Sequence, residues 1–205
     1  MIEMKTKDIR IDVKETMKDS SKEADKVDNV QTPVSAPAKP SSANIERSLV
    51  VLKPDCVQRC LSGRIIQKFE DAGLKIVGMK MMWVTKEFAK KHYFDVEARK
   101  GKTVYDNLVS YITEGPVIAM VIEGIAAVET IRKIVGPTEP KSALPGTIRG
   151  DFAHHSYGYT DTRNMSIKNL IHASGTVDEA KFEVSLWFKP EELHTYKTVH
   201  DVHVL

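Results

Sequence analysis

Cysteine is nearly absent: Cys56 and Cys60 are the only two in 205 residues. A lone CxxxC excludes a disulfide framework and makes a poor zinc pattern, since no second pair follows it. Aromatics amount to 7% and the formal net charge is +2, so the chain lacks the basic, aromatic-studded face of a nucleic-acid module and anion recognition must be local. No long hydrophobic run is present. The most apolar stretch, "PVIAMVIEGIAAV" (116–128), is broken by Glu123 and Gly124 and is short of the ~20 residues a transmembrane helix needs. The amino terminus mixes acids with bases and has no apolar core of a signal peptide, so a cytoplasmic location is expected. A GxxxxGK[ST] motif is missing too, which excludes a P-loop.

What is there divides into two parts. Residues 1–45 alternate Lys with Asp and Glu and run into "TPVSAPAKPSSAN", which offers almost nothing to bury; a disordered tail and linker are expected, with at most a short strand at "IRIDV" (9–13). Residues 46–205 carry the folded domain. The runs "RSLVVLKPD", "KIVGMKMMWV" and "PVIAMVIEG" read as buried strands and "NLIHAS" as a brief fourth. Between them "GRIIQKFEDAGL", "TKEFAKKHYF", "VYDNLVSYI" and "IAAVETIRKIVG" show helical spacing, and Thr176 with Glu179 forms a capping box that starts a last helix through "TVDEAKFEVSLWF". This order predicts an α+β sandwich, helices over an antiparallel sheet. From 137 to 166 the pattern stops, and so long a structureless loop is read as functional.

Within that frame a few side chains can carry chemistry. His172 stands beside Ala173 and Ser174, uncrowded and just ahead of a helix start, and Glu183 two turns into that helix can fold back to fix its tautomer. A neutral imidazole so held can be a nucleophile. Arg132 near a helix end and Arg149 between Gly146 and Gly150 offer forks that match phosphate oxygens. Lys53 ends a strand, where a sheet presents ligand sites. The pairs His154-His155 and His200-x-x-His203 have no spaced acidic partner and read as solvated side chains.

Taken in order, "VVLKPD", "HYFD", "GPVIAMVIEG", "GPTEP", "LPGTIRGD", "NLIHAS" and "LWFKPEEL" resemble the nucleoside diphosphate kinase family. The resemblance implies a ferredoxin-like βαββαβ sandwich with a four-stranded antiparallel sheet, assembled as a homo-oligomer, a hexamer or a tetramer. It implies an enzyme that passes the γ-phosphate of ATP to nucleoside diphosphates through a phosphohistidine, by a ping-pong route. On this likeness His172 is the phosphorylated residue, oriented by Ser174 and Glu183. Lys53 and Asn169 meet the sugar hydroxyls, Tyr93 supplies a hydroxyl on the phosphate side, and Arg132, Thr138 and Arg149 bind phosphate. Mg2+ is the implied cofactor, bridging the nucleotide's own phosphates without a protein cage.

Three departures stand out. Gly175 replaces the family's usual Asp, so Thr176 is expected to take over the cap. "KGKTVYDNLV" carries an insertion where the family has a Phe pair, which leaves Val104 or Tyr105 as the platform for the base. "FAHHSYGYTDTRNMSIKN" is longer than in the commonest members and is expected near the site or at a subunit contact. The alternative to a kinase is a non-catalytic nucleotide-binding or regulatory protein on the same fold.

Overall fold

The computed structural model describes residues 45–204; the expected tail and linker, and the stretch 9–13, lie outside the described residues. The first apolar run forms β1 (Ile45–Leu52), where Leu49 through Leu52 are fully buried, as a strand covered on both faces must be. Lys53 caps α1 (Pro54–Gln58), whose leading proline gives up an N–H that no helix start would use. Next come α2 (Ser62–Asp71), β2 (Lys75–Trp83) and α3 (Lys86–His92), the last opened by Thr85, whose side chain accepts the Phe88 N–H at 3.2 Å. Gly101, at φ 85, makes the sharp corner between α4 (Val96–Lys100) and α5 (Lys102–Ile112). β3 (Pro116–Ile125) and α6 (Ala127–Val135) follow. Further on are α7 (Ile148–Phe152), α8 (Tyr157–Asp161), β4 (Ile171–Ala173), α9 (Val177–Trp187) and α10 (Asp201–Val204).

The strands lie in the order β2-β3-β1-β4 and every neighbouring pair is antiparallel, which is the ferredoxin-like βαββαβ arrangement. Side-chain alternation along β1 and β3 splits the core in two. Val50, Leu52, Met120 and Ile122 pack with Ile65 and Phe69 of α2 and Ile131 of α6. Leu49, Val51, Ala119 and Val121 pack on the opposite face with Val109 of α5 and Trp187 of α9. The register sets Val51 of β1 opposite His172, so the central strand fixes the height of that histidine.

Residues 137–166 are not structureless, contrary to the sequence reading. They hold a 3-10 turn at Pro140–Ser142 and the short helices α7 and α8, capped by the Thr147 and Ser156 hydroxyls, which accept N–H groups of Gly150 and Tyr159. Helices of five residues are too short to display an apolar period, which also hid α1 and α4. At α9 the Thr176 hydroxyl accepts the Glu179 N–H at 3.1 Å, while the Glu179 carboxylate accepts the N–H of Gly175 at 2.8 Å. A Cβ at position 175 would stand 2.7 Å from that carboxylate oxygen, so glycine leaves room for Glu179 to close on the backbone beside the Thr176 cap.

Candidate active site

A cleft of about 1010 Å³ gathers most of the residues singled out by the sequence. Lys53, Tyr93 and Val104 line it, with Arg132, Thr138 and Arg149, and with Asn169, His172 and Glu183. Ser174 lies behind, fully buried, and acts through Glu183. Tyr105, expected with Val104 as a candidate base platform, does not line the cleft. One residue along a helix turns the side chain by about 100°, which carries Tyr105 into the apolar cluster beneath the sheet and leaves Val104 in the cleft.

At the centre, His172 Nε2 sits 2.9 and 3.0 Å from the two oxygens of Glu183. The Ser174 hydroxyl donates to the same carboxylate at 2.6 Å and itself accepts the Leu49 N–H. A carboxylate can only accept, so Nε2 carries the proton and Nδ1 keeps its lone pair toward the cleft. Burial would push the Glu183 carboxyl up, but the facing His172 and the hydrogen bonds from His172 and Ser174 outweigh it and hold the group at about 2.

That shift carries a sign. Glu183 is ionised in the fold where the unfolded chain already takes up a proton, so its contribution is whole above about pH 4.5 and is lost as the pH falls toward 2. We expect Glu183→Gln to flatten the loss of stability between pH 4.5 and 3 in urea titrations. An unaltered slope would mean that the pair does not hold the carboxylate.

Leu170 leads into β4 at φ 71, in the left-handed region, and the Ile171 N–H reaches back to the Asn169 carbonyl at 2.8 Å. This is a γ-turn of the strained hand, costing on the order of 1–3 kcal/mol. Its neighbours hold it in place: Asp55 accepts the Leu170 N–H, and the Leu170 carbonyl accepts the N–H of Lys53. The turn sets Asn169, whose side-chain oxygen accepts from Lys53 Nζ at 2.8 Å and whose amide donates to the Thr138 carbonyl at 2.9 Å.

Lys53 is 5% exposed, far from the strand-end charge in water that its sequence position would permit. Burial, with Arg149 adding repulsion, lowers its pKa to about 7. An anion bound beside it restores the charge. Nucleotide binding at pH 8.5 should therefore draw a proton onto Lys53, seen by calorimetry as a heat that varies with buffer ionisation and vanishes in Lys53→Met. A buffer-independent heat in the parent protein would contradict this.

Arg149 is buried under the cleft floor. Its Nε and two terminal nitrogens donate to the carbonyls of Asn169, Gly136 and Ile171 at 3.2, 2.9 and 2.6 Å. Of five N–H groups, two remain for a ligand. Burial and the nearby Arg132 lower its pKa to about 10, which leaves it charged at neutral pH. Arg132 itself is exposed on the last turn of α6, and its guanidinium has no hydrogen-bond partner among the described residues. Tyr93 closes the wall below His172, its hydroxyl pKa raised by burial.

Two residues escaped the sequence reading. His92, which its place at the end of a helical run does not mark out, is buried edge-on to the His172 ring with centroids 4.7 Å apart, and Trp187 donates to its Nδ1 at 3.2 Å. Nε2 therefore bears the hydrogen and has no partner among the described residues. Burial, then the neighbouring His172, lowers its pKa to about 3, so it stays neutral beside the nucleophile. Nothing in the sequence separates it from an ordinary helix-end histidine. Phe94 lines the mouth and packs edge-to-face on Phe182 at 5.1 Å, across a fold distance that no local pattern reveals. His92, His172 and Glu183 are also the one close grouping of metal-type ligands among the described residues; His154-His155 and the His200, His203 pair form none.

The family model described as nucleoside diphosphate kinase matches residues 46–193. A nucleoside diphosphate kinase of Pyrococcus furiosus is 51% identical over 152 residues, covering 74% of this chain and 88% of the relative. Nucleoside diphosphate kinase B of Homo sapiens is 44% identical over 160 residues, covering 78% and 97%. Among solved structures, the kinase from Borrelia burgdorferi with bound vanadate and ADP, a transition-state mimic, aligns with a TM-score of 0.77 at 41% identity, covering 78% of this chain and 96% of that one.

Proposed function

Because the chain belongs to the nucleoside diphosphate kinase family, it transfers the terminal phosphate of a nucleoside triphosphate to a nucleoside diphosphate, and we propose that His172 carries that phosphate between them. One observation bears most of the weight: the Glu183 carboxylate accepts the Nε2–H hydrogen bond and so presents the Nδ1 lone pair to the cleft. In the first half, Nδ1 forms a bond to the γ-phosphorus of ATP while the bridging β-γ oxygen departs with the diphosphate. In the second, a terminal oxygen of the acceptor diphosphate attacks the same phosphorus and the N–P bond breaks. The Nε2 proton never leaves. The positive charge that grows on the ring when Nδ1 is phosphorylated faces Glu183, which lowers the cost of the intermediate.

Arg132 and the two spare N–H groups of Arg149 meet the oxygens of the moving group. Lys53 and Asn169, locked together, receive the sugar hydroxyls, and Tyr93 and Thr138 border the phosphates. When bound, Mg2+ would be held by the nucleotide's own phosphates and would supply charge neutralisation there. The residues present fit an ion held this way: the phosphate end is built of Arg132 and Arg149, and the buried carboxylate of Glu183 is committed to His172 and Ser174, so the nucleotide's own oxygens would hold the metal.

The catalytic domain is residues 46–205 in this reading, with the tail outside it. A homo-oligomer, a hexamer or a tetramer, is supported by β2, an edge strand whose Met79, Met81 and Trp83 all face outward. No helix among the described residues is long and apolar enough to cross a membrane. Two unpaired cysteines support a cytoplasmic place.

The test is the half-reaction. Purified protein given γ-labelled ATP and magnesium, without acceptor, should take up acid-labile, base-stable label that leaves as GTP when GDP is added. Transfer to GDP with no labelled protein at any time would contradict the covalent route.

A further inference from the structure

We infer that Asn107 and Asn164 form a polar station that reads the edge of the substrate's nucleobase, giving this enzyme a base preference that stacking alone would not. The inference rests on the kinase reading, which sets the phosphates at His172, Arg132 and Arg149 and the base at Val104. Asn107 is one helical turn beyond Val104 on α5, so both present the same face to the cleft. Across from them runs the segment that this chain has at greater length than commoner family members, and its Asn164, Met165 and Ser166 line the same cleft.

The two amides are joined, Asn107 Nδ2 donating to Asn164 Oδ1 at 3.3 Å. Neither the carbonyl oxygen of Asn107 nor the NH2 of Asn164 has a partner among the described residues. An acceptor and a donor side by side complement a base edge on which an amino or ring N–H adjoins an oxygen or ring nitrogen. Ser166 adds a buried hydroxyl with no partner among the described residues. Asn164 sits at φ 47, a left-handed conformation that asparagine accepts more readily than most residues, with its N–H bonded to the Asp161 carbonyl at 3.2 Å. Its amide is thus set by a defined turn. Val104, Leu108 and Met165 supply apolar contact that every base shares; only the amides can discriminate.

The experiment measures kcat/KM for ADP, GDP, CDP and UDP as acceptors in the parent protein, Asn107→Ala and Asn164→Gly. Glycine keeps the left-handed backbone and removes only the amide, and thermal melts confirm that both variants fold. We expect best and worst acceptors to differ by about tenfold or more in the parent, and each variant to compress that range by raising KM for the best ones. A flat parent profile, or an equal loss for all four acceptors in the variants, overturns the inference while leaving the kinase reading intact. A parent protein that transfers to none of the four overturns that reading first.

Discussion

Replacing His172 with alanine should stop phosphate transfer, lowering turnover by roughly 10⁴-fold or more, because removal of a covalent nucleophile abolishes the two-step route. The neighbouring imidazole cannot step in. His92 is buried, its Nδ1 lone pair is occupied by the Trp187 N–H, and its other nitrogen bears a hydrogen. Nor can Ser174, which is fully buried and turned toward Glu183. The loss should appear in kcat with nucleotide binding retained, since Lys53, Asn169 and the arginines are untouched. Turnover within tenfold of the parent, in a coupled assay at saturating ATP and GDP, would mean that the phosphate passes directly between nucleotides.

Arg149→Ala should be nearly as damaging and for two separable reasons. Three carbonyls, of Gly136, Asn169 and Ile171, lose a donor at once, and among the described residues only that of Asn169 keeps a second partner, the Ile171 N–H. Each buried acceptor left unpaired costs on the order of 1–3 kcal/mol, so a total of several kcal/mol and a clearly lowered melting temperature are expected. The same change removes two donors from the phosphate end, worth roughly 10²–10³ in turnover. Arg149→Lys separates the effects. A lysine keeps the charge and can bond one or two of the carbonyls, but it has no fork. Stability should recover in part while turnover stays low. If lysine restored full turnover, Arg149 would act as a charge alone, and its geometry would be incidental.

Sequence made the sheet and the chemistry legible to different depths. β1 and β3 were readable because a strand buried on both faces leaves an unbroken apolar run, and α6 and α9 because their lengths show a helical period or a cap. The five-residue helices α1, α4, α7 and α8 were not, since two turns or fewer carry no periodic signal. In the site, His172, Arg149 and Lys53 stood out because their residue types are unusual between small or apolar neighbours. Val104 and Tyr105 could be told apart only by the helix phase relative to the core. His92 and Phe94 matter through contacts with Trp187, His172 and Phe182, which are far away in the chain. The strain at Leu170 is likewise invisible, because nothing about a leucine announces a positive φ.

Everything proposed for the reaction turns on which nitrogen of His172 is free. The direct measurement is the ³¹P NMR spectrum of the protein phosphorylated by ATP and held at alkaline pH, where the Nδ1- and Nε2-phosphohistidine signals are resolved. A Glu183 carboxylate that keeps the Nε2 proton predicts the Nδ1 isomer alone, and no phosphohistidine signal from His172→Ala. An Nε2 isomer, or phosphate on any other residue, would contradict the pairing of His172 with Glu183 as the device that makes the nucleophile.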